Sequence, residues 1–241
     1  MNDEAFTAYL DKLNAADSAT EPPIQAFVTN LGKYVEGELV GEWLALPTTT
    51  EQVQECFARI GLDGKQYEEM FITDYETQVA GLYDCLGEYS SLDELNYLAA
   101  QLSELDSGGL AKFEAAVELG NVGSSVKDLI NLTDNLDDYD LYPDVNSEED
   151  YGYYLIDECD ALEIPDGIRN YFDYEAYGRD VMMEENGTIT EQGYVIDHSG
   201  SFIEYYDGKE VPEEYRVSAY PDKDTYKRLA GQEKPEPVQE R

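Results

Sequence analysis

Between Lys127 and Lys209 the chain runs for 81 residues with 23 acidic side chains and two basic ones, Arg169 and Arg179. Self-repulsion on that scale opposes compaction. Yet tyrosines are interleaved throughout: Tyr139, Tyr142, Tyr151, Tyr153, Tyr154, Tyr171, Tyr174 and Tyr177. Disordered acidic tails lack such aromatic content. A half-buried tyrosine anchors a surface by its ring and leaves its hydroxyl in water. The stretch therefore reads as folded, with its carboxylates outside.

The whole chain of 241 residues has a formal net charge of -39, from 54 acidic against 15 basic side chains. That balance argues against direct nucleic-acid binding and against an anionic membrane surface. No apolar run approaches the ~20 residues of a membrane span. The acidic start, Met1-Asn2-Asp3-Glu4, does not resemble a signal peptide, so the expected location is the cytoplasm. Three widely spaced cysteines, Cys56, Cys85 and Cys159, read as free thiols in a reducing compartment. Cys56 and Cys85 are expected in the core, and Cys159, amid acids, as a poor thiolate.

The expected class is α+β, an elongated series of three small domains with a highly acidic surface. Residues 1–23 form an N-terminal arm, with Phe6, Tyr9, Leu10 and Leu13 at helical spacing before Pro22-Pro23. Residues 24–85 form a first α+β domain. Its strands run from Ile24 to Leu31, Leu39 to Leu46 and Met70 to Tyr75, with Asn30, Gly32 and Gly37 in the first link. A capping box at Thr49 and Gln52 opens a helix bearing Val53, Cys56, Phe57 and Ile60, which ends near Gly61.

Residues 86–132 form a mainly helical middle domain. Its first helix, opened by a capping box at Ser91, carries Leu92, Leu95, Leu98, Leu102 and Leu105. Gly108-Gly109 separates this from a helix through Leu110, Phe113, Val117 and Leu119, and a third carries Val126, Leu129 and Ile130. Residues 133–206 form a C-terminal α+β domain. Tyr151 to Cys159 fits helix or strand, and Ile168 to Tyr177 starts as helix. Tyr194 to Ile196 and Phe202 to Tyr205 flank a hairpin turn that contains His198. Residues 207–241, nearly neutral and proline-bearing, read as an extended appendage.

Other chemistries are weakly marked. Asp138-x-Asp140 starts a calcium loop, but Tyr142 and Pro143 stand where a ligand and the turn glycine belong. No metal site and no cofactor are expected. Carboxylate pairs of the kind hydrolases use are too abundant here to be a signal. Gly120-Asn121-Val122-Gly123 does not complete a nucleotide fingerprint. His198 reads as a surface turn residue. Asn131-x-Thr133 and Asn186-x-Thr188 match the glycosylation sequon without a secretory context.

The charge itself is the remaining feature. Duplex DNA carries one negative charge per ~1.7 Å of axis, so thirty-nine charges correspond to ~65 Å, or about 20 base pairs. Carboxylates four apart on a helix lie ~6 Å from one another, and two apart on a strand about 6–7 Å. A folded acidic chain can thus present phosphate-like charge to a DNA-binding groove. An acidic chaperone or inhibitor of another basic DNA-binding protein is the alternative, and a carboxylate hydrolase the third reading.

Three blocks carry a resemblance. The first runs from Phe27-Val28-Thr29-Asn30-Leu31-Gly32 to Gly41-Glu42-Trp43-Leu44-Ala45-Leu46-Pro47. The second joins Tyr67-Glu68-Glu69 to Ile72-Thr73-Asp74-Tyr75-Glu76. The third is Asn170-Tyr171-Phe172-Asp173-Tyr174-Glu175-Ala176-Tyr177-Gly178-Arg179-Asp180. Over roughly residues 24–205 the chain resembles the ArdA antirestriction proteins. The resemblance implies a non-enzymatic DNA mimic carried by mobile genetic elements for evasion of host defence. It implies action in the host bacterial cytoplasm, in the DNA-binding groove of type I restriction-modification enzymes. It also implies a homodimer joined through the C-terminal domain and an antirestriction segment near Leu155 to Pro165.

The residues expected to line the mimic surface are Glu36, Glu38, Glu42, Glu68, Glu69, Asp74 and Glu76 in the first unit. In the third they are Asp137, Asp138, Asp140, Glu148, Glu149, Asp150, Asp157, Glu158, Asp160, Asp173 and Glu175. Their role is collective. Arg169 and Arg179 are expected to pair with local carboxylates.

Overall fold

Alternation of Ile24, Ala26 and Val28 with Gln25, Phe27 and Thr29 favours a strand with one face in a core. In the computed structural model, which describes residues 21–121, 125–198 and 202–232, that strand is β1 (Ile24–Asn30). The class is α+β: nine helices and two three-stranded antiparallel sheets among the described residues. Contacts gather the chain into two compact units where three domains were expected. The expected middle domain, 86–132, is divided between them. Its first helix joins the strands before it, and the two helices after it join the second unit. The arm up to residue 20 lies outside the described residues.

In the first unit β1 is central, flanked by β2 (Gly41–Leu46) and β3 (Met70–Glu76), both antiparallel to it. The link between β1 and β2 is not a plain turn. Asn30 accepts a hydrogen bond from the Lys33 amide (3.1 Å) and so starts a short helix, α1 (Leu31–Val35). Helix α2 (Thr50–Ile60) is opened by the expected Thr49/Gln52 capping box and closed by Gly61 at φ +79, a backbone that a side chain would strain. It buries Val53, Cys56, Phe57 and Ile60. Helix α3 (Leu92–Glu104) buries Leu92, Leu95, Leu98 and Leu102. Both helices pack against β2, on the side where Leu44 and Leu46 point inward. The other side of the sheet carries Trp43 and Ala45, both exposed.

The second unit begins with α4 (Ser107–Leu119). Its cap is Asp106, which accepts from the Gly109 amide (2.8 Å). Gly108 and Gly109 therefore lie inside the first turn and do not separate two helices. Helix α5 (Val126–Asp134) and a 3-10 turn (Leu136–Asp138) lead to β4 (Tyr139–Tyr142). Helix α6 (Glu148–Tyr153) runs on into a π turn (Tyr154–Glu158), so Tyr151 to Cys159 is helical. After α7 (Asp166–Arg169) comes α8 (Tyr174–Glu185), then β5 (Thr188–Thr190) and β6 (Gly193–Asp197). The strand order is β4-β6-β5, all antiparallel.

The expected hairpin about His198 is thus corrected. The hairpin is β5–β6, and both edges of β6 are already taken, by β4 and β5. Phe202 to Tyr205 instead lies along α5, clamped by two asparagines. Asn131 accepts from the Tyr206 amide (2.8 Å) and donates to its carbonyl (2.9 Å). Asn135 does the same to Ile203, at 2.9 Å each way. Asn131 is fully buried, which makes its sequon a structural residue. The core holds Val145, Tyr151, Met182, Tyr194 and Ile196.

The tail is corrected as well. Residues 208–232 fold into the first unit instead of extending from it. Val211, Tyr215 and Val217 are buried, and the Tyr215 ring stacks on Tyr97 with centroids 4.3 Å apart. Asp93 accepts from the Val217 and Ser218 amides (2.8 Å each). The last helix, α9 (Lys223–Gln232), lies against α2, where Arg228 reaches Glu55 (2.9 Å). The segment's near-neutral composition lets it bring a cation to an acidic unit. No helix among the described residues is long and apolar enough to cross a membrane.

Candidate functional site

The predicted carboxylates are set by local structure. On β3, Asp74 and Glu76 alternate with buried Tyr75 and so share the exposed face, beside Phe27 and Gln25 of β1. Glu36 and Glu38 follow α1, and Glu68 and Glu69 precede β3. The Tyr67 hydroxyl donates to Glu36 (2.9 Å), and the Leu31 amide donates to the Glu69 carbonyl (3.0 Å). These ties hold the two pairs of glutamates on one side of the unit.

Glu42 does not join them. Its register partner is Val28, which points to the helix side, and there Arg59 grips it in a bidentate pair with contacts of 2.7 and 2.8 Å. The hydrogen bond to Glu42 raises the Arg59 pKa further. Glu42 is therefore a neutralised structural carboxylate, with a geometry that adds specificity to charge.

In the second unit Glu148, Glu149 and Asp150 occupy the first turn of α6, where the helix dipole favours negative charge. Asp173 caps α8 by accepting from the Ala176 amide (3.0 Å), with Glu175 in its first turn. Asp157 and Glu158 lie in the π turn, and Asp160 follows at φ +51. Asp137 and Asp138 form the 3-10 turn, and Asp140 on β4 meets the His198 ring (2.8 Å). Glu149 of α6, Asp157 of the π turn, and Asp173 and Glu175 at the start of α8 line one groove of about 630 Å³ with Tyr153, Tyr171, Phe172 and Tyr174.

Both expected arginine pairings are present: Arg169 with Asp157 (2.6 Å), and Arg179 near Glu148 (3.8 Å) and Asp180 (3.9 Å). Glu42, Asp138 and Glu148 are half-buried, and the other fifteen predicted carboxylates are exposed. Sequence reasoning passed over Trp43, whose alternation with buried Leu44 and Leu46 marks the open sheet face. It also passed over Glu185, which accepts from the hydroxyls of Tyr151 (2.6 Å) and Tyr194 (3.2 Å). Burial first, then Glu185, raises both tyrosines above their ordinary range.

Chemically this is a surface of fixed, solvated negative charge. Among the described residues no three His, Cys, Asp or Glu side chains converge to hold a metal. Cys56 is buried and its thiol is pushed up to about 12, chiefly by burial. Cys85 is half-buried and Cys159 exposed. A family model described as Antirestriction protein (ArdA) matches residues 26–196. None of the curated proteins compared with the chain matches it.

Proposed function

Since the chain belongs to the ArdA antirestriction family, whose members inhibit restriction enzymes and are not themselves enzymes, we propose that it does so by standing in for duplex DNA. It occupies the DNA-binding groove of a type I restriction-modification enzyme and excludes the substrate. The observation that carries this reading is the exposure of fifteen predicted carboxylates in both units, among them Asp74, Glu76 and Asp140 on strands, Glu149, Asp150 and Glu175 in helix first turns, and Asp173 as a cap. Charges held by such elements are already positioned. The groove loses its own counterions, or its DNA, to meet them, so binding weakens with salt.

The proposal extends to the setting. The inhibitor comes from a mobile genetic element, acts in the host cytoplasm, and works as a homodimer joined through its C-terminal domain. Exposed Leu162, Ile168, Tyr171 and Met183 are apolar side chains that such an interface could bury.

The test is block neutralisation. Changing Glu149, Asp157, Asp173 and Glu175 together to their amides weakens inhibition by about tenfold at low salt, from four small charge contributions. Any one of the four alone changes it less than about twofold. One amide substitution that abolishes inhibition would replace the collective surface with a specific contact.

A further inference from the structure

The open face of the first sheet pairs aromatic rings with carboxylates in one row. Phe27 on the central strand has Trp43 directly across on β2 and Asp74 directly across on β3. The Phe27 and Trp43 rings meet edge to face, with centroids 5.2 Å apart. In the next row Gln25 lies between Ala45 and Glu76. Trp43 is 38% exposed, and Asp74 and Glu76 are exposed as well. The two hydrogen bonds to Asp74, from the Tyr75 amide and the Tyr83 hydroxyl, both fall on Oδ1.

Carboxylates beside an exposed tryptophan backed by the half-buried Phe27 ring form a combination with one well-matched guest. An ammonium is compact and strongly hydrated. A guanidinium is planar, weakly hydrated and able both to stack and to donate in a fork. A nucleic acid or an acidic peptide is excluded by charge. We propose that this face receives an arginine side chain of the basic partner protein. The side chain lies across the Phe27 and Trp43 rings, with its N–H groups on Asp74 and Glu76.

The inference rests on the DNA-mimic reading and deepens it. A DNA phosphate offers an arginine charge and acceptors but no aromatic ring beside them. Trp43 and Phe27 add a contact the true substrate lacks at that point, which lets the inhibitor displace DNA with fewer charges.

Trp43 is the chain's one tryptophan, so its emission reports on this face alone. The experiment titrates the full chain with deca-arginine and, separately, deca-lysine, peptides of equal charge. Deca-arginine should shift Trp43 emission and bind, as read there, about fivefold more tightly than deca-lysine. The double variant Asp74→Asn, Glu76→Gln should bring the two peptides within about twofold, with an unchanged melting temperature. Equal affinities and equal emission changes for the two peptides overturn the inference, as does a preference that survives the double variant. The wild-type chain is assayed in parallel for competition with DNA at a restriction enzyme. Competition without the arginine preference removes this inference alone, and the preference without competition removes the mimicry.

Discussion

Gly178 of α8 lies so close to α6 that a Cβ in its place would stand 1.9 Å from the Glu148 carbonyl oxygen. Gly152 of α6 is as tightly placed, with its hypothetical Cβ 2.0 Å from the Tyr174 carbonyl oxygen. The helices that carry Glu148, Glu149, Asp150 and Glu175 are thus held backbone to backbone. Backbone cannot swing aside as a flexible side chain does. Gly178→Ala should destabilise the second unit by about 3 kcal/mol, the upper end of ordinary overpacking. Urea denaturation measures this. A loss under about 0.5 kcal/mol would mean the helices separate easily.

Asn131 makes a two-point clamp on Tyr206 and is fully buried. Replacing it with Leu keeps the volume but leaves the Tyr206 amide and carbonyl without these partners. Each buried orphan costs about 1–3 kcal/mol, so Asn131→Leu should lose about 3 kcal/mol. Hydrogen exchange at the Tyr206 amide should accelerate in step with that loss. Unchanged protection would show that water replaces the clamp.

Alkaline pH should unfold the chain in a particular window. Burial, ahead of Asp197 and Asp138, lifts Tyr139 to about 12, and burial lifts Tyr75 to about 12. Tyr151 and Tyr194 are raised as well. Raised folded values mean the folded state keeps protons that the unfolded chain releases. The stabilising contribution is therefore whole below about pH 10, where unfolded tyrosines ionise, and is lost as pH rises through the folded values. Each such tyrosine adds a slope of about 1.4 kcal/mol per pH unit above that point. Urea midpoints followed with tyrosinate absorbance should decline gently from about pH 9, where the unfolded Cys56 thiol ionises while the buried one keeps its proton, and fall steeply above about pH 10 as the tyrosines add to it.

Glu42 and Asp74 should behave differently although both are surface carboxylates of one sheet. Glu42→Gln loses a partly exposed pair with Arg59, about 1 kcal/mol or less of stability, and leaves inhibition within about twofold. Asp74→Asn should leave stability unchanged and weaken inhibition more than Glu42→Gln does. A reversed order, read from melting temperatures and inhibition assays, would move the partner-facing surface to the helix side.

Local signals were legible and distant ones were not. Thr49/Gln52 and Gly61 mark the ends of α2 because caps are set within four residues of chain. The Gly108-Gly109 pair misled because the Asp106 cap two residues earlier outweighs the helix-breaking tendency of glycine. The hairpin was misplaced because β6 pairs with β4, far upstream, and Asn131 and Asn135 take the backbone of Phe202 to Tyr206. The tail read as an appendage since nothing local ties Tyr215 to Tyr97 or Arg228 to Glu55. The site followed the same rule. Charge could be counted from the sequence, but its cancellation at Glu42 by Arg59 requires the fold.

The most direct measurement is the dependence of inhibition on DNA. A purified type I restriction enzyme is held at fixed concentration, and the chain is titrated at several DNA concentrations and several salt concentrations. Competitive mimicry predicts a half-inhibiting concentration that rises in proportion to DNA at each salt concentration, with salt weakening the inhibitor and the DNA alike. A half-inhibiting concentration that stays constant as DNA is raised would contradict the account.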